Sequence, residues 1–210
     1  MAGFHFGENP HGGHEMVFRA PLGATQTYDN ADPVQIATNL LVECDRDGAV
    51  VLDSEFIGFA FGSALGQTAG SRATATSGGS FDTATALGGP FGDVGATANV
   101  ERTFVIPNRQ TVMWTENYFA DSTGAAQTTI SDADLYDSRQ ICSAVAGDWG
   151  LSATAATAAD HVSAMIVRIV DGLGNPFIAN TAATTAGPGT GVRIYFIINN
   201  IELLDQISGS

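Results

Sequence analysis

The chain has 210 residues, with 22 acidic side chains against eight basic ones, a formal net charge of −14, 44% hydrophobic content and 14% charged residues. It is long enough to bury a core as one large β domain or two small ones, and its charge repels polyanions, which argues against contact with nucleic acid. All eight basic residues are Arg, so every basic contact uses a planar fork suited to fixed, bidentate pairing.

Residues 1–35 are punctuated by Gly12-Gly13, Pro21 and Asp32-Pro33, and read as an extended N-terminal arm. Within it only Glu15-Met16-Val17-Phe18-Arg19-Ala20 has the pattern of a strand. The first residues, Met1-Ala2-Gly3-Phe4-His5-Phe6, carry neither a basic segment nor an apolar run of the secretory kind. His11, His14 and Glu15 offer three metal ligands, but on a Gly-rich segment rather than a rigid element, so no metal site is assigned there.

Residues 36–65 form a β-hairpin unit. Leu40-Leu41-Val42-Glu43-Cys44 meets the turn Asp45-Arg46-Asp47-Gly48, returns as Ala49-Val50-Val51-Leu52-Asp53, and is followed by Phe56-Ile57-Gly58-Phe59-Ala60-Phe61. An Asp-Gly pair between β-rich runs favours a type I′ turn, because both central residues need positive φ. Asp45, Asp47, Asp53 and Glu55 are dense enough to suggest calcium, yet the loop lacks the third early ligand and the closing Glu of an EF-hand. Gly62-Ser63-Ala64-Leu65-Gly66 has no Lys for a phosphate loop and fails the dinucleotide spacing.

Residues 66–99 are dominated by Gly, Ala, Ser and Thr and read as a loop or linker, with Phe81, Leu87, Phe91 and Val94 spaced along it. The C-terminal β domain is expected over 100–210. Its strands are predicted at 100–106, 111–119, 140–145, 162–170 and 192–198. Ser131 has the place of a cap on one short helical turn, and 153–160 is a further helical candidate. The apolar run Ile194-Tyr195-Phe196-Ile197-Ile198 is far too short to span a bilayer. Cys44 and Cys142 both sit in apolar runs and are expected as buried free thiols rather than a bridge. Many short strands between Gly, Pro and Asn turns predict an all-β fold, an antiparallel sandwich or barrel with little helix.

Asp132, Asp134 and Asp137 could supply a pair of acid–base carboxylates, but sequence spacing cannot set their separation across a cleft, and a solvated loop with a capping role is the favoured reading. His161 follows Asp160, but no Gly-x-Ser-x-Gly elbow accompanies them. Trp114, Tyr118 and Trp149 suit either a stacking platform or the core. No catalytic, cofactor-binding or metal-ligating set is assigned, and a non-enzyme is expected.

Two blocks of the sequence stand out. The first is Leu41-Val42-Glu43-Cys44-Asp45-Arg46-Asp47-Gly48-Ala49-Val50-Val51-Leu52 followed by Phe56-Ile57-Gly58-Phe59-Ala60. The second is Thr103-Phe104-Val105-Ile106-Pro107-Asn108, then Ile130-Ser131-Asp132-Ala133-Asp134-Leu135, the strand near Val162, and Gly191-Val192-Arg193-Ile194-Tyr195-Phe196. Together they cover about half of the chain, and they resemble the head decoration, or cement, proteins of tailed bacteriophages. The resemblance implies a virion protein on the capsid exterior, made in the host cytoplasm, with the major capsid protein and itself, as a homotrimer, for partners. It implies no cofactor, no nucleic acid and no membrane. A tail-tube or tail-associated subunit and a carbohydrate-binding or adhesion module stand as alternatives.

Overall fold

A computed structural model describes residues 3–7, 16–21, 28–37, 39–44, 51, 55–61, 101–107, 111–124, 126–144, 148–156, 162–178 and 181–199. The fold is all-β: among these residues there is no α-helix, and hence no helix long and apolar enough to cross a membrane. In chain order the strands are β1 Phe4–Phe6, β2 Met16–Pro21, β3 Pro33–Ala37, β4 Leu40–Glu43, β5 Gly58–Phe61, β6 Glu101–Ile106, β7 Met113–Thr115 and β8 Tyr118–Phe119. They continue as β9 Thr129–Ile130, β10 Ser138–Ser143, β11 Trp149–Ala155, β12 Ser163–Val170, β13 Thr184–Thr185 and β14 Arg193–Ile198.

The backbone groups into two compact units. The first comprises Met1–His14, Asp45–Ser54 and Pro107–Ser210; the second comprises Glu15–Cys44 and Glu55–Ile106. The first unit holds a seven-stranded sheet in the order β1-β7-β14-β12-β10-β11-β8 and a two-stranded sheet, β13-β9. Every pairing is antiparallel except β8 with β11, which is parallel. Strand alternation builds the buried face: Phe4, Met113, Ile166, Ile194, Phe196 and Ile198 lie inward, and Phe4 meets Phe196 edge to face at 5.2 Å. Toward β10 and β11 both faces are buried, since Ile141, Cys142, Trp149, Gly150 and Leu151 are all covered.

The second unit is a five-stranded antiparallel sheet, β2-β6-β5-β3-β4. Ala20, Val34, Leu41, Ala60, Phe104 and Ile106 line one face and pack with Tyr28 as a single cluster. Asn39, with φ of 63°, lies at the connection of β3 and β4, a backbone position that Asn tolerates better than most residues.

Several expectations change. Leu40–Glu43 pairs with β3, so the described hairpin lies one turn earlier than the Asp47-Gly48 signal, which itself falls outside the described residues. Val51 belongs to the first unit, where its N–H donates to Ile141 O (3.0 Å) and its carbonyl accepts from Val162 N (3.1 Å). The described parts of residues 1–35 do not stand out as an arm, because β1, β2 and the start of β3 each lie in a sheet. The strand expected over 111–119 breaks at Glu116-Asn117, where Asn117 Nδ2 donates to Trp149 O at 2.8 Å. The helical candidate beginning at Ala153 is strand as far as Ala155, where Arg139 pairs with it across the sheet. Ala has the highest intrinsic helix propensity, but propensity is a weak determinant and ladder pairing with β10 overrides it. The loop at 66–99 lies outside the described residues.

Candidate functional site

The carboxylates singled out in the sequence build a support rather than a cleft. Ser131 caps a 3-10 turn, Asp132–Asp134, with Ser131 Oγ accepting from Ala133 N and Asp134 Oδ2 accepting from Ser131 N at 2.8 Å. Asp134 Oδ1 accepts the Tyr118 hydroxyl (2.9 Å) and Arg139 Nη2 (2.8 Å). The same Nη2 reaches Asp137 Oδ2 at 2.7 Å, and Arg139 Nη1 donates to Ala153 O. Burial first, then the bond to Asp134, raises the Tyr118 phenol above its ordinary pKa, so the hydroxyl keeps its proton and donates. Each oxygen of Asp134 is engaged by donors of its own chain, which ties β8, the 3-10 turn and β10 together.

The remaining sequence candidates are dispersed. Trp149 and Tyr118 are each 1% exposed, so they belong to the core and no platform joins them to Trp114. His11, His14, His161, Asp45, Asp47 and Asp53 fall outside the described residues, and among the described residues no group of three metal-ligating side chains converges. Cys44 and Cys142 are buried free thiols, and burial pushes the Cys142 thiol up to about 12.

A different constellation emerges on the half-exposed face of the seven-stranded sheet. Direct cross-strand register sets His5 opposite Trp114, Trp114 opposite Tyr195, and Tyr195 opposite Arg168, a single row across β1, β7, β14 and β12. His5 stacks on the Trp114 ring at 4.0 Å between centroids with 18° between planes. Arg193, two residues before Tyr195 and therefore on the same face, places its guanidinium 4.9 Å from the Trp114 centroid. Arg168 lies 5.4 Å from the Tyr195 centroid. Because β7 runs between β1 and β14, His5 and Arg193 reach Trp114 from its two neighbouring strands.

Arg168 reaches this face only through a β-bulge. Ile166 pairs with Phe196 and Arg168 pairs with Tyr195, so two residues of β12 span one step of β14 at Val167. Strict alternation would place Arg168 with Ile166 on the buried side. Beside the row runs a groove of about 510 Å³, lined by Phe6 and Gly7, by Val112 and Trp114, and by Val167, Arg168 and Tyr195. Gly7 is needed for the close approach of β1: its N–H donates to Val112 O at 2.7 Å, and a Cβ there would lie 2.6 Å from that oxygen.

Burial holds the His5 imidazole below its ordinary pKa; the Glu116 carboxylate opposes this and Arg193 adds to it. Glu116 is itself held, accepting from Gly189 N at 3.3 Å. The row is thus two cations, two aromatic rings and an imidazole that favours the neutral form at neutral pH. The alternation in Arg193-Ile194-Tyr195-Phe196 signals in the sequence that Arg193 and Tyr195 share a face, whereas the register that adds His5, Trp114 and Arg168 is set by pairing between distant segments. No family model, no curated protein and no solved structure matches the chain.

Proposed function

We propose that the chain is a non-enzymatic virion structural protein that binds the outer face of a tailed-phage capsid and stabilises the shell, with the major capsid protein and further copies of itself as partners. The observation that carries this reading is the edge strand β2. Among the described residues Met16–Pro21 pairs with β6 and is an end strand of its sheet, with β4 close by, and it presents Val17 (55% exposed) and Phe18 (43% exposed) on opposite faces beside the exposed Arg19. A monomer that works alone keeps such edges short, charged or covered, because an apolar edge invites another chain. In an assembling protein the same edge is a docking line to which a neighbour adds a strand. The all-β fold and the resemblance of the two sequence blocks support the same reading, and a chain of net charge −14 suits the exterior of a shell better than a surface facing packaged DNA.

The test is co-sedimentation of the purified protein with empty, expanded shells of tailed-phage major capsid proteins. Saturable binding at a fixed ratio, and a higher melting temperature for the decorated shell, are the expected results. Val17→Asp with Phe18→Asp should abolish binding while the far-ultraviolet circular dichroism stays that of a β protein. Failure to bind any shell overturns the reading, and polymerisation into hollow tubes would replace it with a tail-tube role.

A further inference from the structure

We propose that the His5, Trp114, Tyr195 and Arg168 row, with Arg193, is a contact surface for carboxylates of a second copy of this chain. The inference rests on the self-association part of the reading above and assigns it a place in the fold.

Three observations carry it. First, Arg168 and Arg193 are exposed, and each lies over a ring without an ion pair to any described residue. Arg139, by contrast, is consumed by two carboxylates and a carbonyl. A cation–π contact occupies the face of a guanidinium and leaves its in-plane N–H donors available for a carboxylate. Second, the bulge at Val167 turns Arg168 out of the buried face and onto the groove. Bulges that re-aim a side chain are features of sites rather than of plain sheet. Third, the carboxylates to match are plentiful on the chain itself, which carries 22 acidic residues against eight Arg.

The two guanidinium groups call for carboxylates rather than further cations on the surface that meets them, because like charges opposed across a contact cost stability. Nucleic acid fits less well. Unpaired bases bind by stacking on open aromatic faces, and the Trp114 ring is already engaged by His5 and Arg193.

Sedimentation velocity of the full chain over a range of concentrations tests this, with the wild type compared with Arg168→Gln/Arg193→Gln. Self-association of the wild type, weakened roughly tenfold or more in the double variant, is the expected result. A wild type that stays monomeric, or a double variant that associates as the wild type does, overturns the proposal. Should the double variant melt early, salt gives the second reading: the wild-type association constant should fall roughly tenfold between about 50 mM and about 500 mM NaCl, and an unchanged constant is equally fatal. Shell binding is scored separately. A double variant that associates normally, in a protein that decorates shells, sinks the inference alone; association lost in the variant of a protein that binds no shell sinks only the capsid reading.

Discussion

Replacing Asp134 with Asn tests whether the Tyr118–Asp134–Arg139 network holds the first unit together. Asp134 and Arg139 have side chains only 18% and 13% exposed. In the wild type Oδ1 accepts from Tyr118 and Arg139, while Oδ2 accepts from Ser131 N. An Asn turns one of those acceptors into a donor. Tyr118 can rotate its hydroxyl to compensate, but Arg139 Nη2 and Ser131 N have no acceptor capacity. One charge-assisted bond or one cap bond is lost and a donor is left facing a donor, which costs about 2–3 kcal/mol. Both tryptophans, Trp114 and Trp149, lie in this unit, so their fluorescence reports its unfolding. With a urea slope of about 2 kcal/mol/M the midpoint should fall by about 1 M. Asp137→Asn is the internal control: that side chain is 53% exposed, and its pair with Arg139 is expected to shift the midpoint little. A double-mutant cycle of Asp134→Ala with Tyr118→Phe should give a coupling of about 1 kcal/mol. If Asp134→Asn moves the midpoint no more than Asp137→Asn does, or the cycle is additive, the network is not what secures β8 to β10.

Gly124→Ala should be as costly, about 3 kcal/mol by the same assay, because φ there is 64° and a Cβ would sit 2.5 Å from Ala144 Cα and Ser143 O; a loss under about 1 kcal/mol would show that the Asp121–Gly124 turn yields readily. Thiol titration should find two free groups in denaturant and no reaction at Cys142 in the native protein at mildly alkaline pH, since its thiol pKa is near 12; rapid native alkylation of Cys142 would refute that burial. His5 should titrate below 6.5 when followed by imidazole NMR signals, and a midpoint above that value would contradict its burial against Trp114. The sign follows from the unfolded chain binding the proton more readily. The stability that His5 contributes is fully present above pH 6.5 and is lost as pH falls through its lower folded value.

Where local pattern alone decides, the sequence is a good guide. Alternation in Ser163–Val170 and Arg193–Ile198 locates β12 and β14, β-branched density locates β6, and Ser131 with Asp134 three residues on announces the cap. It misleads where a partner outweighs propensity, as at Ala153 to Ala155, and where a side chain interrupts a run, as Asn117 does between β7 and β8. The candidate contact row is legible only in fragments. His5 occupies a segment that reads as an arm, and it meets Trp114 through a pairing between strands far apart in the chain. Arg168 looks like one member of a regular alternation, and the Val167 bulge that turns it outward leaves no mark in residue type. The Asp-Gly pair at 47–48 draws attention away from the β3–β4 connection, which uses Asn39 instead.

The position of β14 within its sheet also bears on how the protein is made. It is the last described strand in chain order, yet it lies between β7 and β12, so the β1-β7 pair joins the rest of the sheet only through it. During synthesis β7 precedes β14 by several seconds at roughly 5–20 residues per second. Until β14 emerges, β7 and, once it is made, β12 each lack one neighbour, and the apolar residues on them, Met113 and Ile166 among them, remain open to other nascent chains. Non-local pairing of this kind folds slowly and favours edge-to-edge association when many copies are translated at once. Slow induction at reduced temperature should therefore raise the soluble yield more than any change to the purified protein's buffer, because the vulnerable state exists only before the final strand closes the sheet.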